Sequence, residues 1–316
     1  MHKYFCDTCH FIYDEELGDV KNGVPPKTPI KELSGSLCNR CQMKNLNRYS
    51  IIFSDYKNLE AKYYGMFSGK WHIDYFLDYL NPLQMEKMKI LEVGTGLGKV
   101  ANALINRGIN VTGVEMSSEF VDQLEHQQWT KSPLFNLIAG NIFSMPIKEK
   151  FDVIVVADST FQELVYQKNE AAVLALFAQL VEPSGVIWLE TMTVNQSFQV
   201  SRKKNIDLKR AIHLESQINA SKNSFTYQQI FELFCEGVSK ERNTVSRSLP
   251  TILKENLEAI LPDSLEFVDN FDFPKPGKIK PSDQTLNYWT DGGYPLATSN
   301  ELVKKEIIIL KNRGVL

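Results

Sequence analysis

"ILEVGTGLGKV", from Ile90 to Val100, constrains the fold of this chain more than any other stretch. It joins a short, nearly continuous apolar run (residues 88–94) to a segment of helical periodicity. In that segment Val100, Ala101, Leu104 and Ile105 share one face, and Gly108 supplies a stop. Between strand and helix the backbone must turn sharply and approach whatever it binds. Gly94, Gly96 and Gly98 permit both.

The same alternation continues downstream. "NVTGVE" (110–115) is a second strand, with Ser117 as N-cap of a helix carrying Phe120, Val121 and Leu124. "FNLIAG" (135–140) and "FDVIVVAD" (151–158) follow. A helix over "NEAAVLALFAQLVEPSG" (169–185), closed by Pro183 and Gly185, then leads to "VIWLETMTV" (186–194). Val/Ile/Leu strands without polar alternation, separated by helices, predict a parallel sheet buried on both faces. Such sheets bind ligands at the carboxyl ends of their strands.

Two ligand classes compete for a glycine loop of this kind. A dinucleotide would rest its pyrophosphate on the helix N-terminus. S-adenosylmethionine would bring an ammonium group and a sulfonium cation. Glu92, two residues before the first glycine, repels the former and suits the latter.

Four of the five cysteines fall in the first 41 residues: Cys6, Cys9, Cys38 and Cys41, two C-x2-C turns separated by 28 residues. Two facing turns complete a tetrahedral sulfur site suited to zinc or iron. Net charge is −3, which gives no global attraction to nucleic acid or anionic membrane. No apolar run approaches the roughly 18–20 residues that span a bilayer. "MHKYFCDTC" at the start lacks the apolar core of a signal peptide. A cytoplasmic protein is expected, where paired cysteines are better explained by metal than by disulfides.

The first 48 residues resemble rubredoxin, through Tyr4-x-Cys6-x-x-Cys9, Phe11 and Tyr13, Asp14, Gly18–Asp19 and "NGVPPKTP" before the second cysteine pair. His10 and Gln42 stand where rubredoxins usually have glycine, Asn39 replaces the usual proline, and "SGSL" lacks the expected aromatic residue. These departures weigh toward a structural metal and away from a tuned redox iron, with partner docking as the third role.

Residues from about 68 to 195, with a closing strand near the end, resemble the class I S-adenosylmethionine-dependent methyltransferases. "EVGTGLG" matches their first motif. Glu115, closing "VTGVE", stands where the family's acid holds both ribose hydroxyls, and Met116 would flank adenine. "AGNIFSMPI" matches the third motif, with Asn141 in place of the usual Asp and Ile142 beside it; either acid or amide offers an oxygen to the adenine amino group. The resemblance implies an α/β, Rossmann-like seven-stranded sheet whose last strand, "KKEIIILKNR", is antiparallel.

Methyl transfer from a sulfonium requires alignment and exclusion of water; a base is needed only where the nucleophile holds its proton tightly. Candidates around the methyl are Asp158 after the fourth strand, Glu190 and Thr191 at the end of the fifth, and His72 on a helix ahead of the first core strand; His213 is weaker. Residues 196–248 are expected to form a helical lid, with Cys235 on an apolar face and a basic run at Arg202, Lys203, Lys204, Lys209 and Arg210. Residues 271–295 are expected to be a long loop bringing Tyr288 and Trp289 to the substrate mouth.

The expected organisation is a four-cysteine metal domain over 1–48 and a catalytic domain over 49–316. The expected function is methyl transfer to a small molecule or peptide, with S-adenosylmethionine and one zinc or iron ion, no nucleic acid and no membrane. Two alternatives stay open. One is an RNA methyltransferase whose metal domain reads nucleic acid. The other is an electron-transfer module fused to a nucleotide-binding domain that does not methylate. Oligomeric state is not legible.

Overall fold

The computed structural model describes residues 3–6, 12–15, 17–33, 49–52, 56–68, 71–80, 87–273 and 303–314. The chain opens with a small antiparallel sheet: β1 (Lys3–Cys6), β2 (Ile12–Asp14) and β3 (Tyr49–Ile52), in the order β2-β1-β3. Since β3 pairs with β1, this sheet runs past position 48. Its apolar centre is Tyr13, Ile30 and Leu33, with Tyr4 and Val24 against it. The Tyr13 hydroxyl donates to the Thr28 carbonyl at 2.6 Å, and Glu15 Oε1 accepts from Ile30 N–H at 2.8 Å. Cys6 ends β1; Cys9, Cys38 and Cys41 lie outside the described residues.

Two helices, α1 (Asn58–Phe67) and α2 (Trp71–Tyr79), lead into the main sheet. There β4 (Lys89–Val93), α3 (Lys99–Ile105), β5 (Asn110–Glu115), α4 (Ser118–Glu125), β6 (Phe135–Ala139), β7 (Phe151–Val156), α5 (Thr160–Gln167), α6 (Glu170–Leu180) and β8 (Val181–Val194) follow in turn. β4 to β8 are mutually parallel. "VEPSG" is absorbed into β8 as a register shift opposite β7, with Ser184 at φ 67.

The predicted two-sided burial is visible residue by residue. On β7, Val153 and Val155 face the apolar layer that holds Ile90, Leu104, Phe76 and Trp188. Ile154 and Val156 face the opposite layer, with Leu91, Phe161 and Phe177. Fully burying one such side chain stabilises the fold by about 1.5–3 kcal/mol, and both faces of the sheet do so.

The region after β8 departs from expectation. Residues 196–248 are not helical. They form β9 (Phe198–Asn205), β10 (Arg210–Ala220), β11 (Ser224–Cys235) and β12 (Val238–Pro250), an antiparallel sheet in the order β12-β11-β10-β9. The physical reason lies in period-two patterning. Ile212, Leu214, Ser216 and Ile218 are buried in alternation, and Phe225, Tyr227 and Phe231 pack with them on the same face. Glu236 and Gly237, both at positive φ, make the tight turn between β11 and β12. The basic run of β9 is divided by the same alternation: Lys203 is exposed, whereas Arg202 and Lys204 are half-buried. It is no continuous basic face. Cys235 closes β11, half-buried.

This sheet is a lid over α1 and the end of β8. Phe67 and Leu59 meet Ile212 and Phe231; Met192 and Val194 meet Ile218 and Tyr227. Two polar ties fix it. Gln162, fully buried on α5, donates to the carbonyls of Met192 and Pro250 at 2.9 and 2.6 Å and accepts from Met192 N–H at 2.9 Å. Arg247 on β12 grips Glu60 on α1 through both nitrogens, at 2.5 and 3.0 Å.

After α7 (Lys254–Glu258), β13 (Leu265–Phe273) and β14 (Val303–Asn312) complete a seven-stranded sheet, order β13-β14-β8-β7-β4-β5-β6, with β14 antiparallel as expected. Tyr288 and Trp289 lie outside the described residues. Among the described residues no helix is long and apolar enough to cross a membrane.

The Arg247–Glu60 pair is almost fully buried, with side-chain exposures of 9% and 1%. Glu60→Ala should therefore cost about 3–5 kcal/mol by stranding a buried guanidinium. Replacing both residues with methionine should recover most of that loss. Denaturant unfolding of the three variants checks it.

Candidate active site

β5 and β7 leave β4 on opposite sides, so a crevice opens above their carboxyl ends. The loop after β4 forms its floor. Gly94, Gly96 and Gly98 have φ of 72°, 57° and 71°, all left-handed. A Cβ on Gly94 would come within 2.5 Å of the Thr160 methyl, and one on Gly98 within 2.4 Å of the Trp129 ring. Side chains are excluded there both by conformation and by space.

Two buried carboxylates frame the loop. Glu115, at the end of β5, accepts from Gly96 N–H at 2.6 Å through Oε2 and from Ser117 N–H at 2.7 Å through Oε1. Glu92, 2% exposed, accepts from Ala101 N–H of α3 at 3.2 Å. Burial pushes both carboxyls above their ordinary range. Backbone N–H donors oppose that shift in each, and at Glu92 the neighbouring charges of Glu115 and Glu190 add to it.

Met116, Asn141 and Ile142 also line the cavity. Asn141 is held on two sides: its amide donates to Gln167 at 3.1 Å, and its Oδ1 accepts from Phe143 N–H at 3.0 Å. Asp158 borders the cavity at φ 54, a left-handed residue held by an N–H bond to Glu190 Oε2 at 2.8 Å. Its Oδ1 lies 3.9 Å from Lys305 Nζ on β14.

Glu190 is 1% exposed and is not among the residues lining the cavity. One oxygen holds the Asp158 turn and the other accepts from the Trp188 indole N–H at 3.1 Å, so the structure places it behind Asp158. Thr191 is likewise buried, its hydroxyl 3.5 Å from the Glu306 carbonyl. His213 sits on the lid, bonded to Ser201. His72 falls on α2, with its side chain outside the described set.

The structure adds residues that motif reading missed. Glu163 and Gln167 of α5 face the cavity, as do Tyr56, Tyr64 and Phe120. The signal for the first two was present: Thr160, Glu163 and Gln167 make a polar stripe at helical spacing, beside Leu164 and opposite buried Phe161 and Val165. Tyr56 carried none, because only the lid and α1 bring it there.

Residues 90–185 match a family model described as a methyltransferase domain, and residues 3–46 match the rubredoxin model. The chain thus carries a class I S-adenosylmethionine-dependent methyltransferase domain behind a rubredoxin domain. An uncharacterized methyltransferase of Alkaliphilus oremlandii is 25% identical over 130 residues, 41% of this chain and 58% of that protein. A ubiquinone biosynthesis O-methyltransferase of Thiobacillus denitrificans is 27% identical over 130 residues, 38% of this chain and 54% of that one. The chain therefore spans little more than half the length of these relatives. In fold it resembles the S-adenosylmethionine-bound amino pentose methyltransferase CalS10 of Micromonospora echinaspora, at TM-score 0.54 and 15% identity, over 78% of this chain and 95% of that one.

Burial raises the Glu163 carboxyl from 4.5 to about 7, with Glu115 and Glu60 adding to the shift and Arg247 and the Tyr56 hydroxyl opposing it. The folded chain thus holds this proton to higher pH than the unfolded one. Stability falls as pH rises from about 4.5 to 7 and levels off above. Glu163→Gln should remove this carboxyl's share of that fall. It should be more stable than the parent by about 3 kcal/mol at pH 8 and nearly equal to it near pH 4.5, as read by thermal melts across pH.

Proposed function

We propose that the chain transfers a methyl group from S-adenosylmethionine to a small molecule or a peptide. The observation that carries this reading is the pairing of Glu92 and Glu115 beneath a left-handed glycine loop, in a cavity walled by aromatic rings. The floor suits a cation and disfavours a pyrophosphate. Lys99, the cation nearest the loop, is turned to the Ser68 carbonyl. When bound, S-adenosylmethionine supplies a methyl group already activated by positive sulfur.

In this reading each residue has a defined task. Glu115 holds the ribose hydroxyls with the oxygen lone pairs that Gly96 and Ser117 do not use. Met116 flanks the adenine, while Asn141 and Ile142 meet its polar edge. Glu92 and the loop from Gly94 to Gly98 hold the amino-acid end. Asp158, kept in place by Glu190, faces the acceptor. Glu92 and Glu115 are buried, which strengthens each charge interaction they make. Catalysis is then mainly positioning. The name of the Thiobacillus denitrificans relative supports a small-molecule acceptor.

The rubredoxin domain completes the reading as a structural or docking platform. Cys6, Cys9, Cys38 and Cys41 would hold one zinc or iron ion. Among the described residues the apolar centre of this unit is Tyr13, Ile30 and Leu33, and a metal would add to what so small a core supplies.

Calorimetry with S-adenosylmethionine tests the enzyme reading directly. Glu115→Ala should weaken binding by about tenfold or more, the worth of a charged hydrogen-bond acceptor. Labelled S-adenosylmethionine should pass its methyl to the metabolite or peptide fraction of a lysate. Label entering RNA would overturn the substrate assignment, and failure to bind the cofactor would overturn the activity.

A further inference from the structure

The polar stripe of α5 spans the cavity. Thr160 packs against Gly94 at the floor of the glycine loop, and Gln167 accepts from Asn141 at the opposite end. Glu163 lies between them. The Tyr56 hydroxyl is 3.4 Å from its Oε1, and the Tyr56 ring packs on Tyr64 and Phe120 at centroid distances of 5.3 and 4.6 Å. The charged and titratable groups around it are Glu60 and Tyr64 of α1, Glu115 of β5 and Arg247 of β12; Tyr227 of β11 stands behind Tyr56. Arg247 covers the Tyr56 ring at 4.3 Å and is held by Glu60, leaving Glu163 with a tyrosine as its hydrogen-bond donor.

We propose that Glu163 is the catalytic proton acceptor, and that the methyl acceptor is a small-molecule amine seated as its ammonium between this carboxylate and the rings of Tyr56, Tyr64 and Phe120. This rests on the methyl-transfer reading above. Three observations favour an ammonium. Among the described residues, Glu92, Glu115, Asp158 and Glu163 line one cavity against a single lining cation, Lys99, so an anionic acceptor is disfavoured. Aromatic faces attract cations, most strongly where water is excluded. Tyr56 is buried, and its hydroxyl stays neutral because its pKa is pushed well above 10, chiefly by desolvation; it can donate to Glu163 and orient it. The raised affinity of Glu163 for a proton near neutral pH matches the task.

The transfer conserves atoms and electrons. The ammonium gives one N–H proton to a Glu163 oxygen. The freed nitrogen lone pair forms the N–C bond to the methyl as the C–S bond breaks, and that electron pair stays on sulfur. The product leaves as the methylated ammonium, and Glu163 returns its proton to solvent.

The test uses the full-length, metal-loaded chain saturated with S-adenosylhomocysteine, and calorimetry with three probes of one shape: cyclohexylamine, cyclohexanol and cyclohexanecarboxylate. At pH 8 the amine should bind at least about tenfold more tightly than the other two. Glu163→Gln should lose that preference while binding S-adenosylhomocysteine as the parent does, and Glu163→Asp should restore part of it. Amine affinity should fall as pH drops below about 7, where Glu163 takes up its proton. A parent that does not prefer the amine, or binds it no more tightly than millimolar, overturns the proposal. So does a Glu163→Gln variant that retains the preference. Failure of the parent to bind S-adenosylhomocysteine would instead defeat the methyl-transfer reading itself.

Discussion

Glu115 holds the glycine loop by its Gly96 N–H and the start of α4 by its Ser117 N–H, with one carboxylate placed between two neighbouring crossovers. The loop is further pinned by Gly94 and Thr95, whose N–H groups both donate to the Val114 carbonyl at 2.9 and 3.1 Å. Every other feature of the cavity takes its place from this junction. β4 and β5 are in parallel register up to Val93 and Val114, so their ends lie level and the loop must cross between them. Without a fixed loop neither Glu92 nor Thr160 would have a defined surface to face.

Charge is the second constraint. Glu92, Glu115 and Glu163 all have raised proton affinity, and burial is the leading cause in each. A cavity of this kind is unfavourable while empty of cations and favourable once one enters. The opposing influences differ in kind. Backbone N–H groups relieve Glu92 and Glu115, which are thereby fixed. Glu163 is relieved by a phenol and by an arginine held elsewhere, so its proton remains exchangeable. In the proposed reading the same physical cause separates two carboxylates that bind from one that moves a proton.

The parallel sheet was legible because its strands are buried on both faces and carry no polar alternation. The glycine loop and Glu92 were legible from their place between a strand and a helix, and Glu115 and Asn141 from the resemblance to the methyltransferase motifs. The lid was misread as helical because its outer face is densely charged. In "VSRKKN" the polar residues hide the alternation that Ile212, Leu214 and Ile218 make plain one strand later. Glu190 was legible as a strand-end carboxylate, but nothing local showed that Asp158 N–H and the Trp188 indole would claim both its oxygens. Tyr56 and Arg247 are 191 positions apart, and no local pattern can join residues that only the lid and α1 bring together.

The same long-range geometry bears on why a metal module precedes the catalytic one. Cys6 is the last residue of β1, and β1 is the central strand on which β3 pairs from Tyr49 to Ile52. Four residues after Ile52 stands Tyr56, whose hydroxyl meets Glu163 and whose ring carries Arg247. A metal held through Cys6 would therefore order β1, and β1 would order β3, at the entrance to the segment that closes the cavity. Among the described residues the apolar centre of the small sheet is Tyr13, Ile30 and Leu33, a core to which a metal would add. If the rubredoxin domain holds a metal, a stapled unit immediately ahead of Tyr56 would give a short segment a rigid starting point, and would reduce the conformational entropy lost when Tyr56 takes its place at the cavity.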